Sequence, residues 1–360
     1  MASRATNEKW LSTLTHLPTA SGKEDAVVEW VSDWVARRDD LKLVKDSGGN
    51  LLITQKGRKR RPLVLAVAHM DHPAFVIGDV TGREVAFEFR GGVSAPYFED
   101  ARVEVVSRPE GASGRVTDYD PETQTGTIQQ SGGGHFESGD IAMWKMRKAR
   151  PRKGRFQAPA CDDLAGAAAA LSALDRARGK PDLHHFGVLL TRAEEVGLVG
   201  AIHAAKYQTI PTDARILSIE TSRELPTAPI GDGPIIRTGD FSTVFDREMT
   251  NQITFAARTA GLKHQRKLMD GGGCEATAFG TYGYQATGLC VALGNWHNRG
   301  NLTEVEAGSG EATPMLEEIS IDDYHGLVDL LLIAGQALDA GDLLIPGLDK
   351  LYESQSHYLD

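Results

Sequence analysis

The spacing of apolar residues changes twice along the chain, which divides it into three stretches. Up to about residue 36, apolar residues recur at helical spacing on both sides of a Pro/Ser/Gly break, which predicts two helices. LVLAVAHM (63–70) is then a near-continuous apolar run of strand length, as in a strand covered on both faces. Further strands are predicted at 187–193, 215–221 and 287–294, with helices over about 162–178 and 321–340. This alternation predicts a doubly wound α/β fold whose mixed, mostly parallel sheet has helices on both faces.

The middle stretch, 72–158, has a different pattern of short alternating runs separated by Gly-rich turns. Alternation with a period of two predicts a small all-β module, and no helix of useful length fits there. The basic stretch 145–155 is interpreted as the linker that leaves this module. We therefore expect residues 1–71 and 159–360 to form one discontinuous α/β domain, interrupted by a β-barrel-like insertion at 72–158.

Composition excludes several classes of protein. The 360 residues include 39 Lys and Arg against 49 Asp and Glu, a net charge of −10, and such an acidic surface repels nucleic acid. The amino terminus has no apolar signal region and no apolar run reaches about 18 residues, so we expect neither secretion nor a membrane partner. The three cysteines match neither a paired zinc site nor a disulfide framework, which favours a reducing, cytoplasmic location.

Polar side chains gather at the ends of the predicted strands. They are His69 and Asp71, Glu194 and Glu195, Glu220, His297, and the pair Asp162 and Asp163 at the start of an Ala-rich helix. The carboxyl ends of strands in open α/β sheets form one crevice, so we expect these groups to converge. Taken singly, each has an ordinary structural or surface interpretation; together at one sheet edge they favour a metal site.

Two imidazoles with three or more carboxylates suit zinc or a similar divalent ion, and can hold two such ions. Asp71 lies two residues beyond His69 on an extended segment, so it can orient the imidazole through its other nitrogen. Glu194 and Glu195 are adjacent and cannot both point the same way, which leaves one as a ligand and the other as a free base. The remaining histidines are interpreted as structural or solvated, except His72, which is left open because it adjoins the site.

Five motifs, in this order and spacing, resemble the tetrahedral-aminopeptidase family of dinuclear metallopeptidases, which includes glutamyl and deblocking aminopeptidases. They are AHMD (68–71), DDLAG (162–166), EEVGLVGA (194–201), GGGCEA (271–276) and the late His297. The stretch DSGGNLL (46–52) and the helical segment before it are also similar to that family. The long interval between His69 and Asp162 leaves room for the β module that the family carries there, whereas in aminoacylase-like relatives that interval is short.

The resemblance implies a role for each candidate residue. His69 and Glu220 would bind one metal ion, Glu195 and His297 would bind a second, Asp162 would bridge the two, and Glu194 would be the general acid and base. Asp71, which can orient His69, is named with Glu194 as a catalytic candidate. The ions implied are two divalent cations, zinc first, with cobalt or manganese as alternatives. Glu275 is a candidate for holding the substrate α-amine.

Four positions depart from the family's usual pattern. Glu220 and Glu275 stand where Asp is usual, Leu164 replaces an Arg, and His72 replaces an acid after the HMD motif. These differences leave the chemistry intact and bear on metal geometry and substrate preference.

The sequence thus predicts an aminopeptidase that hydrolyses the amino-terminal residues of peptides with a metal-activated water. The resemblance also implies a homo-oligomer, in the family often a dodecamer enclosing a chamber. Two alternatives stay open at this point: a related amidohydrolase, such as a deacylase or carboxypeptidase, and a non-catalytic binding protein that kept the fold.

Overall fold

The computed structural model of the protein describes residues 3–57, 62–149, 152–338 and 348–359. Its strands are β1 (Leu41–Lys45), β2 (Leu51–Gln55), β3 (Val64–His69), β4 (Ala74–Thr81), β5 (Glu84–Arg90), β6 (Arg102–Val105), β7 (Ser113–Asp120), β8 (Thr125–Ser131), β9 (Ile141–Trp144), β10 (Arg155–Ala158), β11 (Phe186–Thr191), β12 (Arg215–Arg223), β13 (Ile235–Gly239), β14 (Gln265–Leu268), β15 (Gln285–Leu293), β16 (Arg299–Gly300), β17 (Thr313–Pro314) and β18 (Glu317–Ser320). Its helices are α1 (Arg4–Leu14), α2 (Asp25–Ala36), α3 (Leu164–Ala177), α4 (Val199–Lys206), α5 (Arg247–Thr259), α6 (Glu275–Thr281), α7 (Leu302–Glu306), α8 (Ile321–Ala337) and α9 (Leu348–Gln355).

The apolar run after residue 62 forms a central strand of an eight-stranded mixed sheet, in the order β1-β2-β11-β3-β12-β15-β13-β14. The four middle strands, β11, β3, β12 and β15, run parallel, and antiparallel pairing joins them to β2 on one side and to β13 on the other. Every residue of β3 is buried because both of its faces are covered. The prediction of a mixed α/β fold is confirmed.

Alternate residues of β3 belong to two separate cores. Val64, Ala66 and Ala68 pack in the core with α1, α2, α3, α5 and α8, whereas Leu65 and Val67 pack in the core with α4 and α6. The Ala-rich sequence of α3 suits this position, because small side chains let the helix lie close to the sheet. Helices therefore cover both faces of the sheet.

The alternating stretch after residue 72 forms a closed barrel of six antiparallel strands, in the order β4-β5-β8-β7-β6-β9. Phe75, Phe89, Phe98 and Trp144 fill its interior, with ring centroids 4.8–5.7 Å apart. The expected boundary at 158 is too late for the barrel, whose last strand ends at Trp144. Residues 155–158 form β10, which pairs with β18 instead, because Phe156 belongs with the apolar core under α3 and α8.

The predicted helices begin or end within a few residues of the observed ones. The helix predicted over 162–178 is α3, and the one predicted over 321–340 is α8, which ends at Ala337; residues 339 and 340 lie outside the described residues. The segment β13-α5-β14, which extends the sheet beyond β15, was not predicted. None of the described helices combines the length and apolar character needed to cross a membrane.

Candidate metal centre and active site

The parallel strands β11, β3, β12 and β15 are neighbours, so their carboxyl ends meet at one edge of the sheet. His69 is the last residue of β3, Glu220 lies within β12, and Glu194 and Glu195 follow β11. His297 lies in the turn after β15, and Asp162 lies two residues before the start of α3. The structure brings all of these side chains into one cluster.

Three overlapping groups in this cluster each hold one ligand atom per residue within 4.8 Å of one another. They are His69 with Asp162 and Glu220, His69 with Glu194 and Glu195, and Asp162 with Glu195 and His297. The first and last groups share only Asp162 and together contain the five residues expected to bind metal. The donor set, two imidazoles and three carboxylates, suits divalent ions such as zinc.

Asp162 lies between the two imidazoles. Its Oδ1 is 3.5 Å from Nε2 of His69, and its Oδ2 is 3.5 Å from Nε2 of His297. Two further donors fix the carboxylate: Thr221 Oγ1 donates to Oδ1 at 3.2 Å, and Trp296 Nε1 donates to Oδ2 at 2.9 Å. Each carboxylate oxygen therefore faces a different histidine, which is the arrangement that a bridging ligand requires.

Both histidines turn the same ring nitrogen towards the centre. His69 Nδ1 donates to the main-chain oxygen of Asp71 at 3.1 Å, and His297 Nδ1 donates to the main-chain oxygen of Gly92 at 3.0 Å. Because a carbonyl oxygen only accepts, Nδ1 of each ring carries a hydrogen, and Nε2 is the nitrogen that faces the cluster. Gly92, which accepts the bond from His297, lies in the segment that follows β5 of the barrel.

The side chain of Asp71 lies beside His69 and contacts the backbone of both glutamates. Its Oδ1 lies 3.4 Å from His69 Nδ1, and its two oxygens accept from the main-chain N–H groups of Glu194 (3.0 Å) and Glu195 (3.1 Å). Ser21 Oγ donates to Oδ2 at 2.6 Å. One buried carboxylate thus orients an imidazole and fixes the backbone of both glutamates.

Burial dominates the electrostatics of the centre. It raises the pKa of Glu194 well above its usual range, and the carboxylates of Glu220 and Glu195 add to this effect. Burial likewise raises the pKa of Glu220 to about 8. Glu195 Oε1 and Glu220 Oε1 are buried and have no hydrogen-bond partner among the described residues. Carboxylates buried without partners are costly, so this donor set fits divalent cations.

Two other carboxylic acids lie close to the centre but outside its cavity. Asp163 is completely buried, and burial raises its pKa well above the usual range. Glu275, at the start of α6, is also completely buried, and burial raises its pKa to about 7. Glu275 is not among the described residues that line the cavity, and its role in holding the substrate amine stays a prediction.

A cavity of about 410 Å³ opens over the cluster. Asp162, Glu194, Glu195, Glu220 and His297 line its inner end. The rest of its wall includes Leu225, Arg237, Phe241, Met269, Trp296 and the glycines at 271–273. A small substrate can therefore reach the candidate ligands.

Sequence reasoning missed two residues of the site. Glu317, at the start of β18, is fully buried and accepts three main-chain hydrogen bonds from the loops that carry Asp162 and His297. Arg237, in β13, lies buried in the cavity wall. Glu317 and Glu318 look like a solvated surface pair in the sequence, and Arg237 looks like an exposed strand residue. The apolar residue Ile319, which follows Glu317 and Glu318, was the signal in the sequence for a buried strand.

Comparison with known proteins adds an independent finding. Residues 133–308 match the model of the M42 glutamyl aminopeptidase family, a stretch that includes Asp162, Glu194, Glu195, Glu220 and His297. No curated protein matches the chain significantly.

Solved structures share the fold at low sequence identity. A TET aminopeptidase from a marine sediment archaeon of the Thaumarchaeota superposes with a TM-score of 0.76 at 20% identity, over 93% of this chain and 98% of that one. An aminopeptidase from Desulfurococcus kamchatkensis gives 0.74 at 20% identity, over 95% and 99%. The TET1 peptidase of Pyrococcus horikoshii, which can assemble into a tetrahedron or a large octahedral shell, gives 0.74 at 20% identity, over 91% and 99%.

Proposed function

We infer from the match to the M42 glutamyl aminopeptidase family and from the fold shared with TET aminopeptidases that this chain is a metal-dependent aminopeptidase, which removes residues from the amino terminus of peptides. One observation supports this activity above the others, namely the position of Asp162, with one carboxylate oxygen 3.5 Å from each of two imidazoles. A carboxylate in that position can serve two cations at once.

The residues present suit two divalent cations. His69, Asp162 and Glu220 would hold one, and Asp162, Glu195 and His297 would hold the other. When bound, such ions supply Lewis-acid chemistry, which polarises the scissile carbonyl and makes a water molecule more acidic. We propose zinc as the native metal because imidazole and carboxylate donors suit it, with cobalt or manganese as alternatives.

Glu194 would move the proton. Its Oε2 lies 3.9 Å from His69 Nε2, at the inner end of the cavity, and its raised pKa favours holding a proton once it has taken one. It would accept a proton from the attacking water and deliver it to the nitrogen of the departing peptide. Asp71 would keep Glu194 in place, because its carboxylate accepts a hydrogen bond from the main-chain N–H of Glu194.

The variant Glu194→Gln tests this assignment. The amide keeps the size of the side chain but cannot accept the proton, so we expect turnover of aminoacyl-para-nitroanilides to fall about 10²- to 10⁴-fold. The metal content, measured by elemental analysis, should stay at the wild-type value because Glu194 would not bind the ions.

Retained turnover in Glu194→Gln would contradict the role of Glu194. N-acylated substrates provide the control for the reaction class: an aminopeptidase requires a free α-amine and should leave them intact, whereas a deacylase would cleave them.

The wall of the cavity suits a substrate with an acidic first residue. Arg237 is only 2% exposed, and its guanidinium donates to Ser222 Oγ at 3.1 Å and to the main-chain oxygen of Met269 at 3.3 Å. Its Nε has no acceptor, and among the described residues the carboxylates of Glu220 and Asp240 interact with it electrostatically without forming an ion pair at contact distance. A buried guanidinium is costly without a carboxylate partner. We propose that the carboxylate of a substrate Glu or Asp supplies that partner.

The proposed function also includes a role for the barrel and an oligomeric state. We propose that the barrel is an inserted domain of the catalytic unit, with a role in assembly and substrate access, and that the protein is a homo-oligomer of up to twelve copies. The support comes from similar proteins: one TET1 structure is a dodecamer, and the Pyrococcus horikoshii enzyme forms closed shells.

A further inference from the structure

Two separate loops carry Asp162 and His297, and a pair of completely buried side chains lies behind both. His72 follows β3, three residues beyond His69, and Glu317 begins β18. Neither is a candidate ligand, and His72 stands where the family usually has an acid. Their hydrogen bonds explain why a histidine is suitable there.

His72 joins the two loops through its ring. Its Nδ1 donates to the main-chain oxygen of Asp162 at 2.6 Å, and its Nε2 lies 3.1 Å from Oδ1 of Asn298. The amide nitrogen of Asn298 donates to the main-chain oxygens of Pro159 and Met315, at 2.8 and 3.2 Å, which turns the amide oxygen towards His72. Both neighbours of the ring are therefore acceptors, so this position suits a side chain whose nitrogens can donate to them.

Glu317 joins the same loops from the other direction. Its Oε2 accepts from the main-chain N–H groups of Cys161 and Asp162, at 2.6 and 3.0 Å. Its Oε1 accepts from the main-chain N–H of His297 at 2.8 Å. One carboxylate oxygen thus serves each loop, and the carboxylate interacts electrostatically with the His72 ring.

The loop that carries His297 needs such support. His297 and Asn298 have φ values of 57° and 60°, in the left-handed region that non-glycine residues rarely adopt. Residues in this strained conformation persist where the surrounding structure holds them in place. The bonds from Glu317 and His72 act on these two residues.

We propose that His72 and Glu317 form a positioning clamp, which sets the spacing between Asp162 and His297 and thereby the affinity for the cation that these two would share with Glu195. This inference rests on the proposed function. A carboxylate at position 72 would face two oxygen acceptors, whereas a histidine ring can donate a hydrogen bond. His72 and Asn298 are thus a matched pair.

The test uses the full chain and Co²⁺ as the probe. His72→Phe removes both donors and keeps a ring, so we expect one Co²⁺ to bind with an affinity close to wild type and the second to bind at least about tenfold more weakly. Calorimetric titration of the metal-free protein measures both affinities, and the visible Co²⁺ spectrum reports the coordination. Excess metal should restore turnover, which damage to the fold would not allow.

His185→Phe is the matched control. His185 is also buried in the α/β part, but its Nε2 donates to the main-chain oxygen of Gly335, away from the site, so both affinities should stay unchanged. If His72→Phe fails to fold, His72→Gln and Asn298→Ala take its place. Each disrupts the contact between the ring and Asn298, and each should weaken only the second cation.

Two outcomes separate this inference from the proposed function. If the wild-type protein binds two Co²⁺ ions and cleaves peptides, and the variants bind both ions as tightly, the clamp is wrong and the function stands. If the wild-type protein binds no cation, the proposed function fails, and the clamp fails with it.

Discussion

At the scale of single residues, the pKa values of Asp162 and Glu194 are shifted in opposite directions. Asp162 receives hydrogen bonds from Thr221 and Trp296 and lies between two imidazoles. Its pKa is low because its bonds to His297 and His69 outweigh the effect of burial, whereas burial keeps the pKa of Glu194 high. The residue proposed to bridge is thus poised to remain charged, and the residue proposed to carry a proton is poised to keep one.

The substrate preference can be tested at Arg237. Replacing it by Met removes the charge and leaves an unbranched side chain, so we expect kcat/KM for a glutamyl-para-nitroanilide to fall at least about tenfold. The kcat/KM for a leucyl-para-nitroanilide should stay unchanged, because an apolar side chain does not need the guanidinium.

Arg223→Met is the control for that measurement. Arg223 also lines the cavity, but its guanidinium already pairs with Glu306 at 2.8–2.9 Å, so its loss should not change the ratio of the two substrates. An equal loss for glutamyl and leucyl substrates in Arg237→Met would show that Arg237 supports the fold and does not select the substrate.

At the scale of elements, the centre depends on parts of the chain that are far apart in sequence. The parallel strands set the positions of His69, Glu220 and the glutamate pair, and the segment after β5 holds His297 through the main-chain oxygen of Gly92. The barrel therefore contributes to the centre without supplying a candidate ligand. Any change that shifts β5 relative to the sheet should alter the orientation of His297.

The barrel contains a carboxylate whose contribution to stability depends on pH. Asp140 is 8% exposed and pairs with Arg108 at 2.9 Å. Burial would raise the pKa of Asp140, but Arg108, Ser107 and the N–H of Glu137 hold it below its usual range. A lowered folded-state pKa means stability that is present above the unfolded value of about 3.9 and is lost as pH falls further.

The variant Asp140→Asn tests this contribution. We expect its thermal stability to be lower than that of wild type at pH 7 and to change less between about pH 4 and pH 2, as measured by calorimetry. Asp118→Asn, on an exposed position of β7, is the control and should follow the wild-type curve. A parallel drop for Asp140→Asn and wild type in acid would show that the pair with Arg108 does not matter.

At the scale of the whole molecule, the acidic balance and the metal centre are connected. The chain has a formal charge of −10, and the candidate ligands alone contribute three buried carboxylates. Two divalent cations would offset this local charge, which the formal count omits. The same scale includes the assembly, since similar chains form dodecamers and shells.

Light scattering after size exclusion tests the assembly. We expect a particle of twelve copies at neutral pH, because this chain covers nearly the full length of the aminopeptidases that it resembles. Dilution shows whether the particle dissociates. A monomer at micromolar concentration would contradict the proposed assembly and leave the proposed chemistry of the single chain untouched.

Local sequence patterns were enough to predict the mixed α/β fold, an all-β segment within it, and the set of polar residues at the strand ends. These features follow from local periodicity, and a strand end is visible where an apolar run meets His69 or Glu194. The resemblance drawn from five short motifs is confirmed by the family match. The roles of the individual ligands stay predictions.

Tertiary contacts were needed to show which oxygen of Asp162 faces which imidazole and that β10 pairs with β18 rather than with the barrel. They also revealed Arg237 and the pair His72 and Glu317. The physical reason is the same in each case. Burial and hydrogen bonding join residues that are far apart in the sequence, such as His72 and Asn298, which are 226 positions apart. Local patterns carry no information about such partners.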